Sequence, residues 1–566
     1  MRPTRPLIVS AVSISLLSLA ACSSSSSGGG SNTSGSNGST AKKASSVADY
    51  NAQPYSKLKS GGTFTSNGSF DGDDTQGMWG NVNTSLTGQR LWSWYNPDAI
   101  TYSPTGQVRI NHDYYTSATS KVTGGHQVVT ITINPKAKYN DGTPIDWHSI
   151  EQSWKVNNGS NKKYQVGTTA GYDQITSVTQ GKDSKQAVIT FRKAYAAWPA
   201  LFSTFVNPKA ATVQNFNTAY ANKMHPEWGA GPYTVESYNP NSKKVVFKRN
   251  PKWWGEPGRL DKRIYLDLPN SQAAVNSFRN GQVDYVATGD ADTLHQIKGV
   301  PGTEIRQGGS PFVYSLFLNG KSPELKDLQV RKAVFEGVDR AQIAKINFQG
   351  LNYTEPLPGS QIFYSFQKEY QDNLGKVLKP GADQAQKTLT ADGWKKGSDG
   401  YFAKGGKTLN LTYILYSAEP IQKAQASSIQ ASLKKAGIKV TIKTISDAQW
   451  LSTITGGKFD LIISGNRSLD PFGAKSLAGF YSTTDENNIT KVGSAALDKE
   501  IAAVDDIADP AAQAKQANKV EQDAFKLYGS LPLFSGPSIY GVKKGLANVG
   551  ATIFDSPLPE TVGYVK

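Results

Sequence analysis

The chain has 566 residues, one cysteine, five histidines and a formal net charge of +16 at pH 7. A single cysteine, Cys22, excludes a disulfide framework, a cysteine-based zinc site and a CxxC redox pair. The basic residues are scattered among acids, without the clustered patch that nucleic acid requires, so no nucleic-acid partner is expected and a solvated basic surface is.

At the N-terminus, Arg2 and Arg5 precede Leu7–Leu19, which is mostly apolar and broken only by serines. A bilayer span needs about 20 apolar residues, so this stretch is too short to cross and has the form of a secretory signal. Leu19-Ala20-Ala21-Cys22 resembles the bacterial lipobox. That resemblance implies removal of residues 1–21, acylation of Cys22 and a body tethered at the outer face of the cytoplasmic membrane. Loss of Arg2 and Arg5 takes the side-chain charge from +16 to +14.

Ser23–Thr40 contains only Ser, Gly, Asn and Thr, the composition of a flexible linker. The linker is expected to run to about Ser60, through Lys42, Lys43, Lys57 and Lys59. A coil of roughly 37 residues spans about 30–36 Å. Beyond the signal no run of 18 apolar residues occurs, so no transmembrane helix is expected.

The body of about 500 residues is expected to form two or three lobes. Val128–Ile133 is rich in β-branched residues and reads as a strand. Asp146 can cap a helix that places Trp147, Ile150 and Trp154 on one face. Val245-Val246-Phe247 reads as a second strand. Val330, Ala333, Val334 and Val338 repeat at helical spacing, and Asp339 can cap a following helix with Ile343 and Ile346. Ile421–Lys435 reads as a helix closed by Gly437, and Ile438–Ile445 as a strand. A helix at Gln449–Ile454, ended by Gly456-Gly457, leads to the strand Phe459–Ile463. This order suits a parallel α/β lobe with a ligand cleft at its strand ends.

Catalytic motifs are missing. No histidine begins an HExxH, and no GxSxG elbow occurs. Gly406-Lys407-Thr408 ends like a phosphate-binding loop, but Tyr401 stands where the first glycine is required. Asp71-Gly72-Asp73-Asp74 begins like a calcium loop, but Gln76 stands where a glycine is required. Asp505 and Asp506 read as the solvated face of a helix. His112, His126, His148, His225 and His295 form no local cluster, so neither a metal nor a cofactor is expected.

Several segments together resemble one family. Asn140-Asp141-Gly142-Thr143-Pro144 is similar to its DGTP segment. Gly229-Ala230-Gly231-Pro232-Tyr233 with Lys248-Arg249-Asn250-Pro251-Lys252-Trp253-Trp254-Gly255 is similar to its GTGPY and RNPxYWG run. Gly281-Gln282-Val283-Asp284, Asp327–Ala333 and Val338-Asp339-Arg340 follow in the family's order. On these motifs the chain resembles the peptide/nickel-type, family 5, solute-binding proteins of ABC transporters. Most of the motifs read as fold supports: Gly142 and Pro144 turn into the capped helix, the GPY glycines make a tight corner, and Trp253 and Trp254 pin a loop. Arg331 and Asp339 read as ion-paired supports.

The resemblance implies an α/β, two-lobed periplasmic-binding-protein-like fold (type II, cluster C) with a hinged ligand cleft. It divides the body into a discontinuous lobe I (60–100, 225–311 and 535–566), an inserted extra domain (101–224) and lobe II (312–534). Hinge strands fall near Phe312–Leu318 and Pro532–Tyr540. The implied function is extracytoplasmic capture of peptides and delivery to the permease of an ABC importer, by a monomer. A receptor for oligosaccharides or other small solutes is the alternative, and a secreted glycosidase or a surface sensor represents the other classes.

Family ligands lie against the loop after the strand ending at Ile463, where peptide binders carry an acid three residues before a (D/E)-P pair. Here the pair is Asp470-Pro471 and the matching position is Arg467. This departure leaves two readings: Asp470 holds the free amine instead, or Arg467 binds a carboxylate or hydroxyls. The candidate ligand contacts are Asp73, Trp92, Trp94, Tyr314, Asn466, Arg467 and Asp470, with the aromatics offering stacking faces.

Overall fold

Three sheets organise the chain in a computed structural model, which describes residues 47–68, 91–166, 169–205, 207–220, 223–416, 419–468, 470–554 and 557–566. Cys22 with its lipobox, the Ser/Gly segment and Asp73 lie outside the described residues. Among those residues no helix is long and apolar enough to cross a membrane.

The first sheet has seven strands in the order Thr303–Gly309, Pro537–Lys543, Tyr285–Thr288, Thr63–Asn67, Lys262–Leu266, Lys244–Arg249 and Tyr233–Asn239. It draws on three separate stretches of the chain, and the predicted strand at Val245 is one of its members. The second has five strands in the order Lys439–Thr444, Asn410–Leu415, Leu461–Arg467, Phe312–Leu318 and Ser530–Phe534. Its first three strands are parallel, as expected from the helix–strand alternation. The last two run antiparallel to their neighbours, so the sheet is mixed rather than parallel. Leu316, Leu318, Leu461 and Leu531 are fully buried, the apolar run of central strands covered on both faces.

The third sheet is antiparallel, in the order Tyr115–Thr123, His126–Ile133, Gln186–Phe191 and Ile175–Gln180. It lies between two runs that feed the first sheet. The predicted Asp146 cap is present: its carboxylate accepts the His148 N–H at 2.9 Å, and the helix Trp147–Asn157 follows. Ile150, Trp147 and Trp154 pack on one core with Val129, Ile131 and Ile189.

The motif segments converge on one junction. The Asn250 side chain donates to Asn140 Oδ1 (2.8 Å) and to the Gly231 carbonyl (2.7 Å), while Lys252 donates to the Asn140 carbonyl. Trp254 donates from its indole to the Asp113 carbonyl at 2.8 Å and meets Tyr114 edge-on. The chain bends at Gly231-Pro232 before its strand, and the glycines of the GPY run also allow a close approach. A Cβ on Gly231 would stand 2.8 Å from Tyr95 Cα, because the Tyr95 carbonyl accepts both the Ala230 and Gly231 N–H groups.

Some expectations need correction. The segment before Ser60 packs from Val47 onward: Asp49 and Leu58 bridge to Ala551 and Val565, and Leu58 is fully buried. Arg331 is a fold support, but through the carbonyls of Leu325, Lys326 and Leu527 rather than an ion pair, and Asp339 caps its helix by accepting the Gln342 N–H. Of the supposed solvated pair, Asp506 meets Lys193, while Asp505 is half-buried and burial pushes its carboxyl up to about 6, with Lys193 opposing.

Candidate functional site

Among the described residues, two short crossovers join the first and second sheets. Thr303–Gly309 passes to Phe312–Leu318 through Ser310-Pro311, and Ser530–Phe534 passes to Pro537–Lys543 through Ser535-Gly536. The crossovers are neighbours: Gly309 pairs with Pro537 on one side, and Tyr314 with Phe534 on the other. Two adjacent strands that switch sheets make a hinge, since a few backbone dihedrals absorb rotation of each packed body. Gly536 sits at φ +84°, where a residue with a Cβ is strained.

Glu355 holds this hinge. Its Oε1 accepts the Ser535 N–H at 2.6 Å, both its oxygens lie 3.1 Å from the Gly536 nitrogen, and the Tyr353 hydroxyl donates to Oε2 at 3.0 Å. Burial raises the carboxyl's pKa, while the backbone and Tyr353 donors oppose the rise.

Above the hinge, the strand Leu461–Arg467 lies beside Phe312–Leu318, with Gly465 opposite Tyr314, Asn466 opposite Val313 and Arg467 opposite Phe312. A Cβ on Gly465 would stand 2.8 Å from the Tyr314 ring, so the glycine leaves that ring its place. Tyr314 stacks on Phe312 and Phe534 at 5.8 and 4.9 Å, and the Arg467 guanidinium lies 5.2 Å from the Phe312 ring centroid. Burial raises the Tyr314 hydroxyl's pKa, opposed by Arg467. The Asn466 amide nitrogen is buried and has no hydrogen-bond partner among the described residues, an uncompensated cost that a ligand acceptor would relieve. Tyr314, Asn466 and Arg467 are thus brought together on adjacent strands.

The other candidates fall elsewhere. Trp92 and Trp94, expected to offer stacking faces to a ligand, are core residues at 3% and 6% exposure. Trp94 donates to the Tyr265 hydroxyl at 3.0 Å and packs edge-on against Tyr233, while Trp92 packs against Tyr95 and Tyr220. Asp470, considered as an amine partner, is committed to its own loop: it pairs with Lys475 and accepts the Phe472 N–H at 3.0 Å.

Residues that sequence reasoning missed close one side of the site. Tyr102 meets Phe472 edge-on at 6.0 Å, in a cluster with Val313, Tyr364, Ile553 and Phe554. The Tyr364 hydroxyl accepts the Ser468 N–H at 2.8 Å, fixing the loop beyond Arg467. Gly106 touches Pro471, and Lys193 pairs with Asp506. These residues are far apart in sequence and carry no motif, so no local pattern announces them. Among the described residues no group of three or more His, Cys, Asp or Glu side chains could hold a metal ion.

Comparison with known proteins agrees with this geometry. A model of the bacterial extracellular solute-binding proteins, family 5 (middle region), matches residues 115–488. The chain is 33% identical over 463 residues to the oligopeptide-binding protein OppA of Mycobacterium tuberculosis (strain H37Rv), which covers 81% of this chain and 77% of that protein. The periplasmic EDTA-binding protein EppA superposes with a TM-score of 0.81 at 22% identity, over 93% of this chain and 99% of that one. The oligopeptide-binding protein AppA of Bacillus subtilis, in complex with a nonapeptide, superposes with a TM-score of 0.68 at 17% identity, over 90% and 100% of the two chains. At these identities both structures establish the two-lobed α/β fold.

Proposed function

This chain belongs to the bacterial extracellular solute-binding proteins of family 5, and we propose that it captures oligopeptides between its two lobes and delivers them to the permease of an ABC importer. The observation that carries the reading is the pair of adjacent crossovers beneath Asn466 and Arg467. They let two packed bodies close on a ligand held at the end of the strand Leu461–Arg467. Peptide as the ligand class is supported by the oligopeptide-binding relative that matches 81% of the chain. Sugar stacking loses its support with the burial of Trp92 and Trp94.

Lobe boundaries at 60–100 with 225–311 and 535–566, at 101–224, and at 312–534 are supported by sheet membership, since the first sheet draws its strands from all three parts of the first lobe. Binding works by differential affinity: a ligand that touches both lobes favours the closed form, and one that touches a single lobe does not. In this reading Arg467 and Asn466 bind the peptide's carboxylate or backbone carbonyls. Lipid on Cys22 keeps the receptor near the permease and raises its effective concentration there.

Calorimetric titration of the unlipidated mature chain with oligopeptides is expected to give one site per molecule. Arg467→Ala is expected to weaken that affinity by about tenfold, equivalent to ~1.4 kcal/mol, with no loss of thermal stability. Unchanged affinity would remove Arg467 from the site, and no heat with any peptide would reject the ligand class.

A further inference from the structure

The second sheet has another end besides the one at the cleft. Its parallel strands, Asn410–Leu415, Lys439–Thr444 and Leu461–Arg467, point their C-terminal ends towards the cleft. Their N-terminal ends form the opposite pole, and the fold gathers lysines there that look scattered in the sequence. Between Lys376 and Lys443 there are twelve lysines and no arginine against four carboxylates; Lys423 and Lys443 lie with Glu419 at the cleft end, and Lys407 pairs with Glu324 from outside the stretch at 2.5 Å.

Local contacts join these lysines into one face. The helix Ala382–Ala391 carries Gln386, whose amide donates to the Lys435 carbonyl at 2.8 Å and whose oxygen accepts Lys396 Nζ at 3.1 Å. In the small sheet beside it, Lys395 and Lys396 pair with Ala403 and Phe402, and the Phe402 N–H donates to the Gly437 carbonyl at 2.8 Å. Lys439 then opens its strand by donating to the Leu409 carbonyl. Lys387, Lys395, Lys396, Lys434, Lys435 and Lys439 are all exposed. Of the four carboxylates in the stretch, Asp392 is paired with Lys404, Asp383 and Asp399 are exposed on this side, and Glu419 follows the C-terminal end of the strand Asn410–Leu415.

We propose that this lysine pole is a docking face for anionic lipid headgroups, holding the receptor on the membrane with its cleft turned away to collect solute. The proposal rests on the membrane-side location given above. Lysine is a compact, strongly hydrated point charge, suited to a diffuse anionic surface, whereas nucleic-acid recognition favours arginine forks and exposed aromatic faces.

The test uses the full mature chain carrying Cys22→Ser, so that no lipid anchors it. It is mixed with phosphatidylcholine vesicles with or without about 30 mol% phosphatidylglycerol. Co-sedimentation is expected with the anionic vesicles alone, and is lost at about 0.5 M salt. Combining Lys395→Glu, Lys396→Glu, Lys434→Glu and Lys435→Glu is expected to weaken binding by tenfold or more. The control combines Lys57→Glu, Lys121→Glu, Lys162→Glu and Lys223→Glu, which changes the net charge equally, and is expected to weaken it less than threefold. Equal loss in both variants, or wild-type binding that ignores phosphatidylglycerol, would overturn the proposal. Tighter binding of the wild type to single-stranded DNA than to the vesicles would overturn it in favour of a polyanion site. Peptide affinity of the pole variant is expected to stay at the wild-type value, so failure of docking and failure of the receptor reading are read separately.

Discussion

Replacing Glu521 with alanine is expected to lower the unfolding free energy by on the order of 4 kcal/mol, seen as a lower urea midpoint at unchanged slope. Glu521 lies in the helix Pro510–Phe525 and is fully buried. Its Oε1 accepts the Gln361 N–H at 2.7 Å and the Tyr481 hydroxyl at 3.1 Å, and its Oε2 accepts Ser360 Oγ at 2.6 Å and Asn373 Nδ2 at 2.7 Å. Truncation strands four donors in the interior at once. The damage reaches the hinge, because the Gln361 amide donates to Ser315 and Ser530, one on each hinge strand, at 2.7 and 2.6 Å. Burial holds the Glu521 carboxyl above its ordinary pKa while the four donors pull it back. The wild-type protein therefore loses stability as pH rises from the ordinary glutamate range through the raised value, and the alanine variant lacks that slope. A loss under about 1 kcal/mol would show that the network does not hold this part of the lobe.

The second large effect concerns closure. Gly106→Val is expected to weaken peptide binding by about five- to 150-fold, from ~1–3 kcal/mol of overpacking confined to the closed form. Gly106 lies in the turn between Ile100–Tyr102 and Val108–Ile110, and a Cβ there would stand 2.4 Å from Pro471 Cβ. That overlap acts as a wedge only when the loop at Pro471 meets the turn. Gly106 also has φ +95°, so valine is strained in both open and closed forms; this lowers stability without changing affinity. Adding Pro471→Gly removes the wedge and is expected to restore most of the affinity. Wild-type affinity in the single variant would mean that binding does not bring these surfaces together.

Legibility followed range. Asp146 and Asp339 announced helix starts because a cap needs only a carboxylate two or three residues before its N–H. The helix–strand alternation from Ile421 onward announced two of the three parallel strands for the same local reason, while Asn410–Leu415, which precedes it, was not announced. The antiparallel pairing of Phe312–Leu318 and Ser530–Phe534 joins segments more than 200 residues apart, and no periodicity reports such a pairing. Trp92 and Trp94 looked like pocket aromatics because a sequence shows a ring's chemistry but not its neighbours. Their burial is decided by partners such as Tyr220, Tyr233 and Tyr265. Arg467 could be singled out from its place before Asp470-Pro471, whereas the pairing of Asp470 with Lys475 could not, because Lys475 sits on a turn that forms only in the folded loop.

Whether this receptor carries peptides is read most directly from the mass of what it already holds. The unlipidated chain, purified without unfolding, is denatured and the released small molecules are analysed by mass spectrometry. A ladder of short peptides is expected from the wild-type protein. Release of a single sugar or metal chelate, with no peptide, would contradict that expectation.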